Sequence, residues 1–367
     1  MKTDSFSSFS SLKMMMFHEI NEWRLLAYVH RLEDPESLLS SFLVVAGHFT
    51  ASVLDFTDPF WVLALNQISR YGTVLLAIVS GYMTAYTLEK KKPGFWQFFS
   101  GKLTYIYVPF LVCGVLYHYL LNDVWPRTST DFFNIFLGKT GGHLYFVFMI
   151  CQYYLFAYLF RNVITKKNIL FLIWVFMAVQ YVYINYLHQG WLGLTTRHLL
   201  PTWIFTFYIG HLVYWYRETI FAYLQRKQSY LILFTSVSVI SAVFFILSSK
   251  MYVAVHLSFV IATLITFLVM VVFFLELVDK VQLKFRKGLT YFIYLFHSAF
   301  LILYKEWLKD LFGNDVSWLF SNTWYSLMYL LVVYASTGLA SILLVQITKG
   351  IESLIKTRWR VIRERYE

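Results

Sequence analysis

Charged side chains are scarce in this chain: Asp, Glu, Lys and Arg together make up 14% of its 367 residues. Soluble domains carry about a quarter, so the composition excludes an ordinary soluble domain. Cysteine occurs twice, at Cys113 and Cys151, both in apolar stretches, which favours packing over a disulfide or a metal site. The sequence also has no HExxH, CxxC, paired-carboxylate, Walker-type or GxGxxG pattern. We therefore predict no metal and no bound cofactor.

Apolar and aromatic residues make up most of the chain instead. Hydrophobic residues reach 59%, aromatic residues 21%, and the mean hydropathy is +0.58. The net charge of +11 could indicate a nucleic-acid partner. In an apolar chain, however, such a charge more often records Lys and Arg held in cytoplasmic loops. We predict a multi-pass membrane protein with no nucleic-acid partner.

Ten apolar stretches approach the roughly 20 residues that a membrane span needs. They cover residues 38–56, 68–88, 104–121, 144–161, 169–187, 199–215, 230–247, 253–275, 289–304 and 324–347. With the N-terminus inside, 24 of the 31 Lys and Arg residues fall in cytoplasmic segments, as the positive-inside rule requires. The prediction is an all-α bundle of about ten spans with both termini cytoplasmic.

The predicted domain organisation follows from these spans. Residues 1–36 form a cytoplasmic arm, 37–348 the membrane domain and 349–367 a basic cytoplasmic tail. The arm has no uninterrupted apolar core and no small-residue cleavage site, so we do not expect a cleavable signal peptide. Around residues 17–28 the arm could be amphipathic and lie on the membrane surface with its lipids.

Histidines inside predicted spans are the first candidates for function. His48 lies midway along the first span, in SFLVVAGHFT, and His297 lies in the ninth, in YFIYLFHSAF. A polar group in hydrocarbon is costly and needs a partner or a task. Helix packing through a hydrogen bond is one interpretation, and general base catalysis by a neutral imidazole is the other. Neither histidine decides the question alone.

Other polar residues near the predicted span ends allow a packing and a functional interpretation. Arg70 could anchor the second span or bind an anionic group. Ser80, followed by a glycine, suits a close helix contact. Lys102, with the run of lysines at 90–92, makes a basic cytoplasmic mouth that would suit phosphates. His143 and Tyr145 open the fourth span as interface anchors or as residues lining a substrate site.

Five sequence blocks together resemble the acyltransferase 3 family. They read VVAGH, RYGTVLLAIVSGY, KLTYIYVPF, HLYFVFMICQYYLF and FIYLFH, in that order, and the likeness extends over about residues 37–347. The phenylalanine-rich fourth span and Tyr105 look most like the family's staphylococcal members from the intercellular-adhesin polysaccharide system. The resemblance implies a ten-span enzyme of the bacterial plasma membrane. It would move an acyl group, commonly acetyl, from cytoplasmic acyl-CoA to a hydroxyl of a surface polysaccharide or lipid-linked glycan.

The family's functional positions carry over one by one. His48 matches the histidine thought to be catalytic, Arg70 opens the second block, and His297 matches the late histidine. Lys102 matches the first basic residue of the third-span motif and, with Tyr105, would contact the donor.

Two positions depart from the family pattern. Ser37 stands where Arg or Lys is usual, eleven residues before His48, and Tyr105 replaces the second arginine of the third-span motif. Both missing charges would be expected to help bind donor phosphates. Arg31 and Lys102 are candidates to compensate.

Two other functions stay open at this point. Ten spans with polar groups inside would also suit a polysaccharide exporter or flippase, although repeated halves, which many transporters have, are not evident. An inactive scaffold within a polysaccharide synthase complex is the third interpretation, for which Ser37 and Tyr105 are the indications.

Overall fold

The computed structural model describes residues 39–57, 59–188, 190, 193–224, 226–250, 257–277, 288–313 and 315–366, and within them it contains helices and no strand. The α-helices are α1 (Leu39–Leu54), α2 (Phe60–Tyr86), α3 (Phe95–Lys102), α4 (Val108–Asn122), α5 (Ser129–Phe136), α6 (Tyr145–Leu159), α7 (Ile169–Val182), α8 (Ile204–Leu224), α9 (Lys227–Lys250), α10 (Leu257–Leu277), α11 (Leu289–Phe312), α12 (Ser317–Ser321) and α13 (Thr323–Tyr366).

Each predicted span coincides with a helix, so the helical fold class is confirmed. Among the residues that the structure describes, four helical stretches are long and apolar enough to cross a membrane by length and composition: Phe60–Lys91, Phe95–Asn122, Ile169–Leu187 and Thr323–Thr348. Four apolar helical stretches are shorter: Leu39–Leu54, Tyr145–Leu159, Gln228–Ile240 and Val260–Val271. Ten crossings and cytoplasmic termini stay predictions. The predicted arm, including Ser37 and Arg31, lies outside the described residues.

Large apolar side chains point outward from several of these helices. Phe171 is 70% exposed, Trp174 65% and Trp324 75%. Such side chains in water would cost free energy over much of the surface, whereas lipid tails accommodate them. Together with the apolar helices, this surface identifies a membrane protein.

Helix α2 occupies the centre of the fold and packs most extensively against α8. At this contact Gly81 and Gly210 bring the two backbones together, because a Cβ atom on Gly210 would stand 2.1 Å from the carbonyl oxygen of Ile78. On another face α2 packs against α1, where Asn66 donates a 2.9 Å hydrogen bond to Thr50. The predicted close helix contact beside Ser80 is therefore present.

Three helices contain or continue into π-helical turns. Thr87–Lys91 follows α2, Leu103–Tyr107 joins α3 to α4, and Tyr183–Leu187 follows α7. Helices α3 and α4 are consequently one helical stretch, Phe95–Asn122, with a wider turn in it. Such turns often occur at functional sites, and this one begins directly after Lys102.

Candidate functional site

Three histidines from distant parts of the chain meet at one point in the bundle. His48 comes from α1, His143 from the segment before α6 and His297 from α11. Their ring centroids are 5.7 Å apart for His48 and His143, 5.1 Å for His48 and His297, and 4.7 Å for His143 and His297. His143 and His297 are buried and His48 is half-buried. We call these three residues the histidine cluster.

Backbone carbonyls fix the hydrogen positions of two of these imidazoles. The Nε2 atom of His143 lies 3.1 Å from the carbonyl oxygen of Leu295. The Nδ1 atom of His297 lies 2.7 Å from the carbonyl oxygen of Tyr294. A carbonyl can only accept, so both of these nitrogens carry hydrogen. In the neutral rings, Nδ1 of His143 and Nε2 of His297 are therefore lone-pair acceptors.

Tyrosines hold the elements that carry the histidines. The hydroxyl of Tyr117, in α4, donates to the carbonyl of Leu295 at 2.8 Å and accepts from the N–H of Ala299 at 2.9 Å. In a regular α-helix the N–H of Ala299 would donate directly to the carbonyl of Leu295, four residues earlier. The hydroxyl of Tyr117 stands between these two groups and bonds both. The hydroxyl of Tyr294 donates to the carbonyl of His143. These bonds fasten α4 and the segment before α6 to the stretch of α11 that carries His297.

Gly142 lies beside the imidazole of His48. This glycine is exposed, and a Cβ atom placed on it would be 4.0 Å from Cε1 of His48. The half-buried ring of His48 is therefore the member of the cluster next to an exposed position of the chain.

Arg197 belongs to the same region, although no sequence motif indicated it. It lies in the short 3-10 helix Thr196–His198, and its positive charge acts on His48. Its side chain lies close to the hydroxyl of Tyr145, as does the side chain of Thr73 in α2. Tyr145, predicted to line a substrate site, therefore lies between α2 and Arg197. The neighbouring His198 ring centroid is 5.6 Å from that of Tyr145, and burial lowers the pKa of His198.

Arg70 lies inside α2 and not at its end. The helix begins at Phe60, eight residues before the predicted start of the span at 68. The neighbouring Ser69 packs against Gly47 of α1, because a Cβ atom built on Gly47 would be 3.3 Å from the Cβ atom of Ser69. Arg70 therefore lies at about the same height in the bundle as Gly47, the residue before His48. Thr73 is one helical turn further along α2.

Lys102 and Ser80 belong to a second group, further along α2 and α6. The Nζ atom of Lys102 lies 3.8 Å from the ring centroid of Phe98 and 4.5 Å from that of Tyr154. The side chain of Ser80 lies close to the hydroxyl of Tyr154. Tyr145 and Tyr154 are both in α6, nine residues apart, so the two groups are about 13 Å apart along the helix axis.

Tyr105 is more exposed than Lys102. The residue is 53% exposed, whereas Lys102, three residues earlier, is half-buried against aromatic rings. Tyr105 lies within the π-helical turn Leu103–Tyr107, which begins directly after Lys102. The structure thus places Lys102 and Ser80 on either side of Tyr154 and Tyr105 at the surface.

The histidine cluster has the donor atoms of a metal site, and its ligand atoms lie within 4.8 Å of one another. A tetrahedral Zn²⁺ with bonds of 2.0–2.1 Å needs nitrogens about 3.3 Å apart, so the rings would have to move together. The hydroxyl of Ser298 already lies 3.2 Å from Nδ1 of His143 and 3.1 Å from Nε2 of His297. The observed spacing suits hydrogen bonding between imidazoles and a hydroxyl.

A helical membrane protein in which three imidazoles meet inside the bundle fits the class of membrane enzymes that use a histidine as a general base. The acyltransferase domain of the acyltransferase 3 family matches residues 38–345. The chain belongs to this family and is a membrane acyltransferase. No curated protein and no solved structure matches it. The likeness to the staphylococcal members therefore stays a prediction.

Proposed function

We propose that this protein transfers an acyl group, by preference acetyl, from cytoplasmic acyl-CoA to a hydroxyl of a cell-surface or exported polysaccharide in a bacterial plasma membrane. The acceptor is the polymer or its lipid-linked precursor, and a polysaccharide synthase complex is a natural partner. The observation that carries this proposal is the meeting of His48 with His143 and His297, with the exposed Gly142 beside His48.

His48 is the base in this proposal. It is half-buried and lies beside the exposed Gly142, whereas the other two histidines are buried. A neutral imidazole can take the proton of a sugar hydroxyl as the hydroxyl attacks the acyl carbonyl, a contribution of about 10²–10⁴-fold in rate. The low dielectric of the bundle strengthens each directed dipole at that point.

Arg197 and Arg70 supply positive charge on this side of the reaction. Arg197 lies close enough for its charge to act on His48 and Tyr145, so it is suited to stabilise negative charge that develops on an acyl oxygen. Arg70, at the level of Gly47, is suited to steady the same oxygen or an acidic group of the glycan.

The donor's phosphates belong at the other group of residues. Lys91 lies close enough for its charge to act on Lys102. Arg161 lies over the ring of Tyr158 at 3.8 Å, and the hydroxyl of Tyr158 donates to the carbonyl of Pro93 at 3.5 Å. This basic rim supports binding of a polyphosphate donor, with Lys102 pointing into the bundle between Phe98 and Tyr154.

The test compares surface-glycan acylation by NMR in wild-type, deletion, His48→Ala and His118→Ala strains. His118 is the matched control, because it is a buried histidine of α4 outside the cluster. We expect acylation to be lost in the deletion and His48→Ala strains and kept in His118→Ala, with each variant present in the membrane. Normal acylation in His48→Ala would overturn the assignment of the base. Unacylated polymer trapped inside the deletion strain would favour the exporter instead.

A further inference from the structure

The hydroxyl of Ser298 lies between two imidazole lone pairs. Its Oγ atom is 3.1 Å from Nε2 of His297 and 3.2 Å from Nδ1 of His143. Both nitrogens are acceptors, because the carbonyls of Tyr294 and Leu295 accept the hydrogen on the opposite side of each ring. One hydroxyl hydrogen thus faces two acceptors, and a base is present whichever one it bonds.

This arrangement meets the geometric conditions for an activated nucleophile. Nucleophile and base lie within hydrogen-bond reach, and a third group orients the base. Here Ser298 is the hydroxyl, His297 the base, and the carbonyl of Tyr294, 2.7 Å from Nδ1, the orienting group. A triad of this kind is recognised by geometry and role, and its members need not be an acid, a base and a serine from fixed positions.

Ser298 is more exposed than the two histidines that accept its hydrogen bond. Ser298 and His48 are half-buried, whereas His143 and His297 are buried. The rings of His48 and His297 have centroids 5.1 Å apart, so a group attached to Ser298 would stand within reach of His48. An acyl group on Ser298 would therefore have the proposed base of the acceptor hydroxyl beside it.

We propose that Ser298 is a catalytic nucleophile that carries the acyl group as an ester between donor and acceptor. The inference rests on the proposed function and divides the reaction into two steps. A covalent carrier lets each substrate react from its own side of the membrane, with no need for both to meet at one time.

In the first step the Ser298 oxygen adds to the thioester carbonyl of acyl-CoA, and its proton passes to Nε2 of His297 or Nδ1 of His143. The carbon–sulfur bond then breaks. The departing thiolate takes that proton and leaves as the thiol of CoA, so the acyl group remains on Ser298.

In the second step an acceptor hydroxyl adds to the Ser298 ester while His48 takes its proton. The bond between the acyl carbon and the Ser298 oxygen breaks, and that oxygen takes up a proton from the cluster. Serine is restored, and the net change is transfer of the acyl group from sulfur to the acceptor oxygen.

The test uses purified full-length protein in detergent with radiolabelled acetyl-CoA and no acceptor. We expect a stable label on the wild type, located by peptide mass spectrometry at Ser298, and background label on Ser298→Ala. Ser52→Ala is the matched control and should label as the wild type does, because Ser52 is a half-buried serine whose hydroxyl donates to the backbone carbonyl of His48, at 3.2 Å. His48→Ala should label but fail to pass the label to added glycan.

Ser298→Cys separates nucleophilic attack from a merely structural hydroxyl. A thiol at this position should accept the acyl group as a thioester, which neutral hydroxylamine cleaves while leaving the oxygen ester of the wild type. Label at another residue, or unlabelled wild type, would overturn the proposal, as would Ser298→Ala that acylates glycan within about twofold of the wild type. The proposed function would survive those results, since it fails only if the glycan itself carries no enzyme-dependent acyl group.

Discussion

The Nε2 atom of His143 lies 3.1 Å from the carbonyl oxygen of Leu295, which ties the segment before α6 to a helix 152 positions later in the chain. The bond also turns the Nδ1 lone pair of His143 toward Ser298. His143 therefore holds two elements together and presents a base, and substitutions can separate these effects.

We expect His143→Gln to keep a side-chain N–H donor and lose the imidazole base, whereas His143→Ala loses both. Both variants should lose most acylation. Only His143→Ala should lower the free energy of unfolding markedly, by about 1–3 kcal/mol, because a buried side chain and its hydrogen bond are removed. Thermal unfolding in detergent together with an acylation assay checks this. Wild-type activity in His143→Gln would show that the lone pair is not needed.

Arg197 should act through its charge and its planar guanidinium. We expect Arg197→Gln to reduce acylation about 10²–10³-fold, the usual cost of removing a group that stabilises an oxyanion. Arg197→Lys should recover part of that loss, since it keeps the charge without the rigid fork of donors. The control is Arg127→Gln, at an exposed arginine near α5. Equal activity in Arg197→Gln and the control would remove Arg197 from the site.

The contact between α2 and α8 should tolerate no side chain at its glycines. A Cβ atom on Gly210 would meet the carbonyl oxygen of Ile78 at 2.1 Å, and one on Gly81 would meet that of Phe207 at 2.0 Å. We expect Gly210→Ala to reduce the amount of folded protein in the membrane severely, because backbone and not a flexible side chain is in the way. Size-exclusion profiles of detergent extracts measure it.

Gly338 provides the comparison for this contact. It also lies in a long helix, α13, but a Cβ atom there would have nothing within 4 Å. Gly338→Ala should leave the yield unchanged or raise it slightly, since alanine favours a helix over glycine. Similar profiles for the two variants would contradict the close approach of α2 and α8.

Asp131 should make stability depend on pH at the start of α5. The backbone N–H groups of Arg127 and Thr128 donate to its carboxylate and hold its pKa at about 2, below the ordinary 3.8. The lowered pKa means that the stabilisation is complete above about pH 4 and is lost as pH falls toward about 2.

We therefore expect Asp131→Ala to lower the unfolding midpoint at neutral pH, and the gap from the wild type to close as pH falls through that window. Thermal unfolding of both proteins across the window measures the gap. Asp310→Ala, an exposed carboxylate elsewhere, is the control and should leave the midpoint close to that of the wild type. A gap that is constant down to about pH 2 would show that Asp131 acts without its charge.

Hydropathy was sufficient to locate the helices but not their ends. The stretch before residue 68 contains Asn66 and Gln67, which lower its hydropathy, yet both are buried within α2. Asn66 is accommodated because it bonds Thr50 of α1, a partner that no local pattern reveals. The predicted second span therefore began too late, and Arg70 was placed at an edge.

The histidines could each be selected from sequence because a polar residue in an apolar run is costly. Their meeting could not be predicted, since it depends on how α1, α11 and the segment before α6 pack. Ser298 and Arg197 were missed for different reasons. Serine is common in membrane helices and carries no signal beside His297, and Arg197 lies in a short loop without a motif.

The exposure of position 105, in the π-helical turn after Lys102, gives a physical reason for a tyrosine there in place of an arginine. Because this position is exposed within the wider turn, an arginine there would stand on the outer face of an apolar helical stretch. Charge at 105 would cost free energy and contribute nothing to the aromatic site of Lys102. A mutational scan should accordingly find position 105 permissive for aromatic residues and position 102 restricted to cations, although the two are three residues apart.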